Sequence, residues 1–190
     1  MKVLRREFYA RDTVTVAREL LGKVLVHGAA AGRIVEVEAY LAEGDQAAHS
    51  ARGVTPRTRA IFGAPGHAYV YLIYGMYRCL NIVAEPAGQA GCVLLRALEP
   101  VAGEDLMRSR RRGKGVANGP GKLVLAMGIG PEHYGADLTC GELRVEEWPW
   151  DAFEIAVSPR IGINVSQDLP LRFFVRGNAH VSGGKEPAKG

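Results

Sequence analysis

An aromatic-rich stretch at residues 69–82 constrains the fold more than any other part of the sequence. Four of the seven tyrosines lie in its first nine residues. Tyrosine alternates with aliphatic residues over 69–73, which predicts a strand with two apolar faces. Gly75 can adopt a positive φ, so residues 74–76 predict a tight turn and residues 78–83 a returning strand. The chain is therefore expected to form a β-hairpin here.

The tip of this hairpin would carry two large apolar side chains, Tyr74 and Met76. Hairpin tips usually carry small polar residues, and exposed apolar groups of this size need a partner that covers them. One interpretation is that the tip is buried against the core. The other is that it forms a wedge that enters a stacked structure. Nucleic acid is the obvious candidate, since apolar side chains inserted between base steps unstack a duplex.

Length and composition indicate one globular domain. A chain of 190 residues, 47% hydrophobic and 23% charged, can bury a sizeable core. We expect residues 1–182 to form a single domain and the polar residues 183–190 to be a disordered tail. The net charge of +4 is compatible with a polyanionic partner but does not require one.

The cysteines and the N-terminal segment indicate a reducing, cytoplasmic setting. Cys79, Cys92 and Cys140 form no CxxC pair, so they predict neither a zinc site nor a disulfide framework. The first two lie in apolar strand patterns and are expected to be buried thiols. The first residues lack the apolar core of a signal peptide, and no apolar run approaches membrane-spanning length. We therefore expect no membrane partner.

Elsewhere the patterns predict a mixture of helices and strands along one chain. Helices are predicted at residues 13–21, 103–112 and 123–127, and strands at residues 23–27, 33–40, 92–98, 155–159 and 171–175. Asp12 or Thr13 can cap the first helix, and residues 28–32 are expected to form a turn.

The strand at residues 33–40 carries two carboxylates. Alternation places Glu36 and Glu38 on the same face as Ile34 and Tyr40. Taken alone, the pattern is typical of a strand with one solvated face. The apolar residues on that face indicate only partial exposure, and a carboxylate in such a place is a candidate general base. Alternation does not distinguish Glu36 from Glu38.

Arg96 is the single charge in the apolar strand at residues 92–98, so it needs a carboxylate or an anionic ligand. Glu38 is a partner of the right type. Further basic residues on irregular segments suit phosphate contacts, although a solvated surface is equally ordinary. The candidates are Arg52, Arg57, Arg110, Arg111 and Lys122.

Seven stretches together resemble the alkyladenine (3-methyladenine) DNA glycosylase family, the monofunctional type that lacks a helix-hairpin-helix. They lie in the same order within residues 8–182: 33–40 (RIVEVEAY), 47–50 (AAHS), 55–59 (TPRTR), 69–77 (YVYLIYGMY), 92–100 (CVLLRALEP), 119–123 (GPGKL) and 171–177 (LRFFVRG). The resemblance implies an α+β fold, a single mixed domain with a curved, mostly antiparallel β-sheet flanked by helices and a protruding β-hairpin.

The resemblance also implies roles for individual residues. Glu38 would activate the attacking water, and Arg96 would help to position that water and the carboxylate. Tyr74 would fill the gap left by a flipped nucleotide. The base pocket would comprise Tyr40, His49, Tyr71 and Asn81, of which the asparagine disfavours a normal guanine through its exocyclic amino group. Taken alone, His49 would be typical of a structural or solvated histidine.

The implied reaction is hydrolysis of the N-glycosidic bond of alkylated or deaminated purines in double-stranded DNA, by a monomer that needs no metal or organic cofactor. The purines are 3-methyladenine, 7-methylguanine, hypoxanthine and ethenoadenine. Two other functions remain open from the residues themselves. A non-catalytic DNA-binding module would keep the Tyr74 wedge without using Glu38 and Arg96. A nucleoside hydrolase would use the carboxylate but need neither the wedge nor the basic cluster at residues 108–114.

Overall fold

An antiparallel sheet carries the fold in the computed structural model, which describes residues 1–111 and 114–183. Nine strands can be assigned within these ranges. They are β1 (Lys2–Val3), β2 (Val24–His27), β3 (Ala30–Tyr40), β4 (Ala68–Ile73), β5 (Tyr77–Ala84), β6 (Gly91–Ala102), β7 (Leu143–Glu147), β8 (Ile155–Ser158) and β9 (Arg172–Val175).

The strands lie in the order β1-β7-β2-β3-β6-β5-β4, and β9 adds to the second half of β3 with β8 beside it. Every pairing is antiparallel. Strand β3 therefore has neighbours on both sides along most of its length. The α+β prediction, with a curved antiparallel sheet and a protruding hairpin, is confirmed.

Four α-helices accompany the sheet in the described part of the chain: α1 (Arg6–Tyr9), α2 (Thr13–Leu20), α3 (Glu104–Ser109) and α4 (Pro120–Met127). Asp12 caps α2 by accepting the Thr15 N–H at 2.8 Å. Helix α2 packs on β3 and β6, and α4 packs on β5 and β6. Their apolar faces bury Leu20 and Leu123 in the main hydrophobic core. None of the helices in these ranges is long and apolar enough to cross a membrane.

Several predicted boundaries differ from the structure. Helix α4 begins at Pro120 rather than residue 123, because the first turn of a helix tolerates proline. The predicted turn at 28–32 is shorter, since β3 already begins at Ala30. The early start depends on Gly32, where a Cβ atom would lie 2.8 Å from the Leu98 Cβ on the neighbouring strand. Such a close approach of two strands is one use of glycine inside a sheet.

Three other expectations have mixed outcomes. Cys79 and Cys92 are buried as predicted, and Cys140 is exposed. The predicted tail at residues 183–190 lies outside the described residues except for Gly183, and the basic cluster at 108–114 is described except for residues 112 and 113.

The predicted hairpin is formed by β4 and β5, whose register runs from Ala68 opposite Ile82 to Ile73 opposite Tyr77. At its tip Tyr74 and Gly75 have φ values of 52° and 69°. Positive φ at two successive residues matches the right-handed twist of a hairpin, but it is unusual for a tyrosine. Tyr74 is 78% exposed, so the interpretation that the tip is buried is wrong.

Two interruptions in the pairing of β3 with β6 lie close to charged residues, one beside Glu36 on β3 and one at Arg96 on β6. Ile34 faces Leu98 and Glu36 faces Ala97, which leaves Val35 as an extra residue on β3. The next pair is Val37 with Leu95, which leaves Arg96 as an extra residue on β6. Bulges of this kind redirect side chains and are common beside active sites. Glu36 and Glu38 both have 0% exposure, so the solvated-face interpretation is wrong.

Candidate active site

A pocket of about 280 Å³ lies beside the hairpin. This volume is close to the lower end of the usual range for ligand sites, about 300–1,000 Å³, and suits a small flat ligand. Strands, a short 3₁₀ helix (His49–Arg52) and the loop at residues 161–163 form its walls. The four residues predicted to form the base pocket all line it: Tyr40, His49, Tyr71 and Asn81. Tyr74 and Arg96 line it as well.

Three aromatic rings form one wall of the pocket. The His49 and Tyr71 rings lie 4.6 Å apart at 76°, and the Tyr69 ring stacks on Tyr71 at 5.1 Å. His49 Nδ1 lies 2.9 Å from the Tyr69 hydroxyl. Burial, helped by Arg57 and Arg52, lowers the pKa of His49, so the imidazole is neutral at pH 7. The sequence analysis missed Tyr69, although strand alternation had placed it on the same face as Tyr71.

The pocket contains one polar group whose hydrogen bonding is incomplete. Asn81 is 3% exposed, and its Oδ1 lies 3.7 Å from the Cys92 Sγ. The Asn81 Nδ2 is buried and has no hydrogen-bond partner in the described part of the chain. A buried amide donor without a partner is costly unless a ligand pairs with it. The pocket therefore offers a donor to whatever occupies it.

Glu38 lies directly behind the pocket wall. One carboxylate oxygen accepts the Ile161 N–H at 2.7 Å and lies 3.2 Å from Arg96 Nη1. The other accepts the Tyr40 hydroxyl at 3.0 Å. Glu38 does not itself line the pocket, but these three partners do. A carboxylate in this position is one layer away from a bound ligand.

Opposing effects act on the pKa of Glu38. Burial raises it, and Glu36 adds to this effect. Arg96, the Ile161 N–H and the Tyr40 hydroxyl lower it, and the balance leaves the pKa above its ordinary value. A shifted pKa in a buried carboxylate beside a pocket is typical of a functional group.

Glu36 has a different environment, although it lies only two residues away. Its Oε1 accepts hydrogen bonds from Arg96 Nε at 2.9 Å, Arg172 Nε at 2.7 Å and the Ser182 hydroxyl at 2.8 Å. Its Oε2 accepts the Ser182 N–H at 2.6 Å. Both oxygens are therefore occupied by the protein itself. Glu36 holds Arg96 from behind and does not line the pocket.

Arg96 links the two carboxylates. Burial alone would lower its pKa, but Glu38 and Glu36 raise it above the ordinary value. The guanidinium is therefore a fixed positive charge at the pocket wall. The predicted pairing with Glu38 is present, and the second pairing with Glu36 was not anticipated.

Arg172 and Ser182 were also missed by the sequence analysis. For Arg172 a signal was available, because it is a charge in an apolar strand, as Arg96 is.

The predicted phosphate contacts lie in different surroundings. Arg52 and Arg57 are exposed on the segment that follows His49, and the Arg57 guanidinium lies 5.2 Å from the Tyr71 ring centroid. Lys122 Nζ donates to Asn118 Oδ1 at 3.1 Å in the first turn of α4. In contrast, Arg110 and Arg111 donate to backbone carbonyls of Ala126 and Gly115 at 3.2 Å, so part of their donor capacity serves the fold. Phosphate binding by these five residues stays a prediction.

A second groove, of about 560 Å³, is partly lined by the hairpin. Its lining includes three guanidinium groups, from Arg57, Arg59 and Arg78, together with Tyr71 and Tyr134. Arg78 was missed because its strand pattern indicated only the return of the hairpin. Cationic and aromatic side chains in one groove make a positively charged surface adjoining the exposed tip.

Comparisons with known proteins find relatives that match most of this chain. Residues 7–179 match the family model described as methylpurine-DNA glycosylase. A protein of Methanoculleus marisnigri is 51% identical over 92% of this chain and 96% of its own length. Proteins of Chlorobaculum parvum and Methanocella arvoryzae are 49% and 48% identical, over 96% of this chain and 91% and 96% of their own lengths. All three are named, provisionally, as 3-methyladenine DNA glycosylases.

The family match covers nearly the whole described chain, including the hairpin, the pocket and both strand carboxylates. The chain therefore belongs to the methylpurine-DNA glycosylase family, and is a DNA glycosylase, a hydrolase of N-glycosyl bonds.

Proposed function

We propose that this protein flips alkylated or deaminated purines out of duplex DNA into the 280 Å³ pocket and cleaves their N-glycosidic bond with a water activated by Glu38. One observation carries the proposal: Glu38 is buried one layer behind the pocket and is held by Arg96, Tyr40 and the Ile161 N–H. All three partners of Glu38 line the pocket, which is not true of the partners of Glu36, so the buried charge of Glu38 lies next to the space that a ligand would occupy.

The pocket suits a flipped base. Extruding a nucleotide costs a few kcal/mol, least when the base is damaged and pairs poorly. Stacking on the aromatic side chains of Tyr40, His49 and Tyr71 would return roughly 1–3 kcal/mol. The unpaired Asn81 Nδ2 favours a base that presents an acceptor and opposes the exocyclic amino group of guanine, since two donors would face each other.

The proposed chemistry depends on two charged groups beside the pocket, Glu38 and Arg96. Glycosidic cleavage passes through an oxocarbenium-like state with positive charge on the sugar. An ionised Glu38 would stabilise that charge and accept a proton from the attacking water. Arg96, which has a raised pKa, would keep Glu38 ionised and orient it. No lysine lines the pocket within the described ranges, in agreement with a monofunctional enzyme that leaves an abasic site.

The exposed Tyr74 would occupy the stack vacated by the flipped nucleotide. We expect Tyr74→Gly to weaken binding of lesion duplex by about 1–3 kcal/mol, roughly 5- to 150-fold, because it removes one aromatic stacking contact. Its thermal stability should not fall, since glycine adopts the φ of 52° without strain. Binding titration with a hypoxanthine duplex and thermal unfolding measure the two effects.

Tyr74→Phe is the matched control for that change and should bind nearly as well as the wild type, because it keeps the ring. Unchanged affinity of the glycine variant would contradict the wedge role of Tyr74.

Base release tests the proposed function. Duplex oligonucleotides with a single hypoxanthine or ethenoadenine, and methylated DNA for 3-methyladenine and 7-methylguanine, are incubated with the protein. We expect release of at least one of these bases with an abasic site and no strand break. Release from free nucleosides at a comparable rate would favour a nucleoside hydrolase instead. Lesion binding without any release would leave a non-catalytic DNA-binding module.

A further inference from the structure

A second buried ion pair lies behind the pocket, separate from the Glu36–Arg96 pair. The side chains of Asp45 and Arg160 have 0% exposure, and the guanidinium meets the carboxylate in a two-pronged arrangement. Arg160 Nη1 lies 2.5 Å from Asp45 Oδ2, and Nη2 lies 2.8 Å from Oδ1. The pair joins the loop after β3 to the loop after β8.

Arg160 also contacts the floor of the pocket. Its Nη1 donates to the Ala39 carbonyl at 3.0 Å, and its Cζ lies 4.6 Å from the centroid of the Tyr40 ring. The next residue, Ile161, donates its N–H to Glu38 at 2.7 Å. The guanidinium therefore supports the ring on which the base would stack, and it anchors the backbone that binds the carboxylate.

Asp45 organises the opposite side of the pocket. Its carboxylate oxygens accept the N–H groups of Leu41 and Ala47 at 3.1 Å, and its backbone carbonyl accepts the Ala48 N–H at 3.1 Å. These contacts fix the turn that leads directly into His49. One ion pair thus ties the wall containing His49 to the wall formed by residues 161–163.

We propose that the Asp45–Arg160 pair positions the reacting groups, by holding the Tyr40 ring and the Ile161 N–H in register with Glu38. This inference rests on the proposed roles of Glu38 and Tyr40. A buried ion pair is a poor source of stability, because desolvation offsets its Coulombic attraction. Its advantage is orientation, since a planar guanidinium that makes two parallel hydrogen bonds fixes both angle and distance.

The pH dependence of catalysis distinguishes positioning from simple stabilisation. Ionisable groups surround Glu38 on every neighbouring element. Those that act on it are Glu36 and Tyr40 on β3, Arg96 on β6, Cys79 on β5 and Arg160 on the loop. Arg172 on β9 lies opposite Glu38 in register but pairs with Glu36. Among the contacts of Glu38, the Ile161 N–H depends most directly on Arg160. Losing that contact raises the pKa of Glu38, because the N–H favours the ionised form.

Arg160→Lys tests the proposal, since it keeps the charge but cannot make two parallel hydrogen bonds. Single-turnover base release is measured from pH 5 to pH 9 on a hypoxanthine duplex. We expect a rate about 10- to 100-fold lower, in line with the roughly 100-fold cost of a 1 Å misplacement. The acidic limb of the pH–rate profile should move to higher pH. Arg144→Lys, in the Arg144–Glu146 pair of β7, is the matched control and should leave both quantities unchanged.

Asp45→Asn provides a second variant should Arg160→Lys fail to fold, because it weakens the pair while it keeps an oxygen for one of the two loop N–H groups. It should displace the acidic limb in the same direction. If the rate falls equally at every pH and the acidic limb of the pH–rate profile stays where it is in the wild type, the positioning role would be overturned. If the wild type itself released no base, the proposed function would fail instead, so the two failures can be told apart.

Discussion

Glu38→Gln is expected to lower the single-turnover rate of base release by about 10²- to 10⁴-fold, the usual range for loss of a general base. Glutamine keeps the shape of the side chain and one oxygen for the Ile161 N–H, but it cannot accept a proton from water. Since the pocket walls and Tyr74 are untouched, the variant should still bind a lesion duplex. Quenched-flow or manual single-turnover assays, with binding titrations on the same duplex, measure both effects.

The stability of this variant provides an independent check. Burial raises the pKa of Glu38 above its unfolded value, so its ionisation is less favourable in the folded chain. The stabilising contribution of the protonated form is present at low pH and is lost as the pH rises through the folded pKa. Glutamine is neutral throughout. The unfolding temperature of Glu38→Gln relative to wild type should therefore increase from acidic to neutral pH.

Base release by Glu38→Gln at the wild-type rate would remove Glu38 from the mechanism and direct attention to Glu36. A variant that neither binds the lesion duplex nor releases the nucleobase would indicate a damaged pocket rather than the loss of the general base. The control for this is the fluorescence of ethenoadenine in duplex DNA, which reports entry of the base into an intact pocket.

The local sequence pattern was enough to predict the hairpin, because alternation and Gly75 are properties of neighbouring residues. It did not decide whether the tip was buried, since that depends on what the rest of the chain covers. Nor did it reveal the bulges at Val35 and Arg96, which need a paired strand to be defined. Alternation also assigned Glu36 and Glu38 to one face without separating them.

The partners that distinguish the two carboxylates come from distant parts of the chain. Ser182 is 146 residues from Glu36, Arg172 is 136 residues away, and Ile161 is 123 residues from Glu38. No local period or motif spacing encodes such contacts. The family resemblance selected Glu38, and the geometry separates the two residues in a different way. All three partners of Glu38 line the pocket, whereas Arg172 and Ser182, which bind Glu36, do not.

Glu36→Gln should have the opposite result to Glu38→Gln, with a large loss of stability. Glu36 accepts four hydrogen bonds and pairs with two guanidinium groups whose side chains are 8% and 9% exposed. Removing its charge leaves Arg96 with Glu38 alone and leaves Arg172 without a carboxylate among its described contacts. Breaking a buried ion pair in this way typically costs about 3–5 kcal/mol. Urea denaturation at neutral pH measures the free energy of unfolding.

The same experiment on Glu38→Gln provides the matched comparison, since both variants replace a fully buried glutamate on β3 by the same residue. We expect Glu36→Gln to lose several kcal/mol of unfolding free energy, while the protein that remains folded still releases the base at a measurable rate. Arg96 would be less firmly held, so that rate should fall, but less than in Glu38→Gln. Should Glu38→Gln prove the less stable variant, with the larger loss of rate in Glu36→Gln, the assignment of structural and catalytic carboxylates would have to be exchanged.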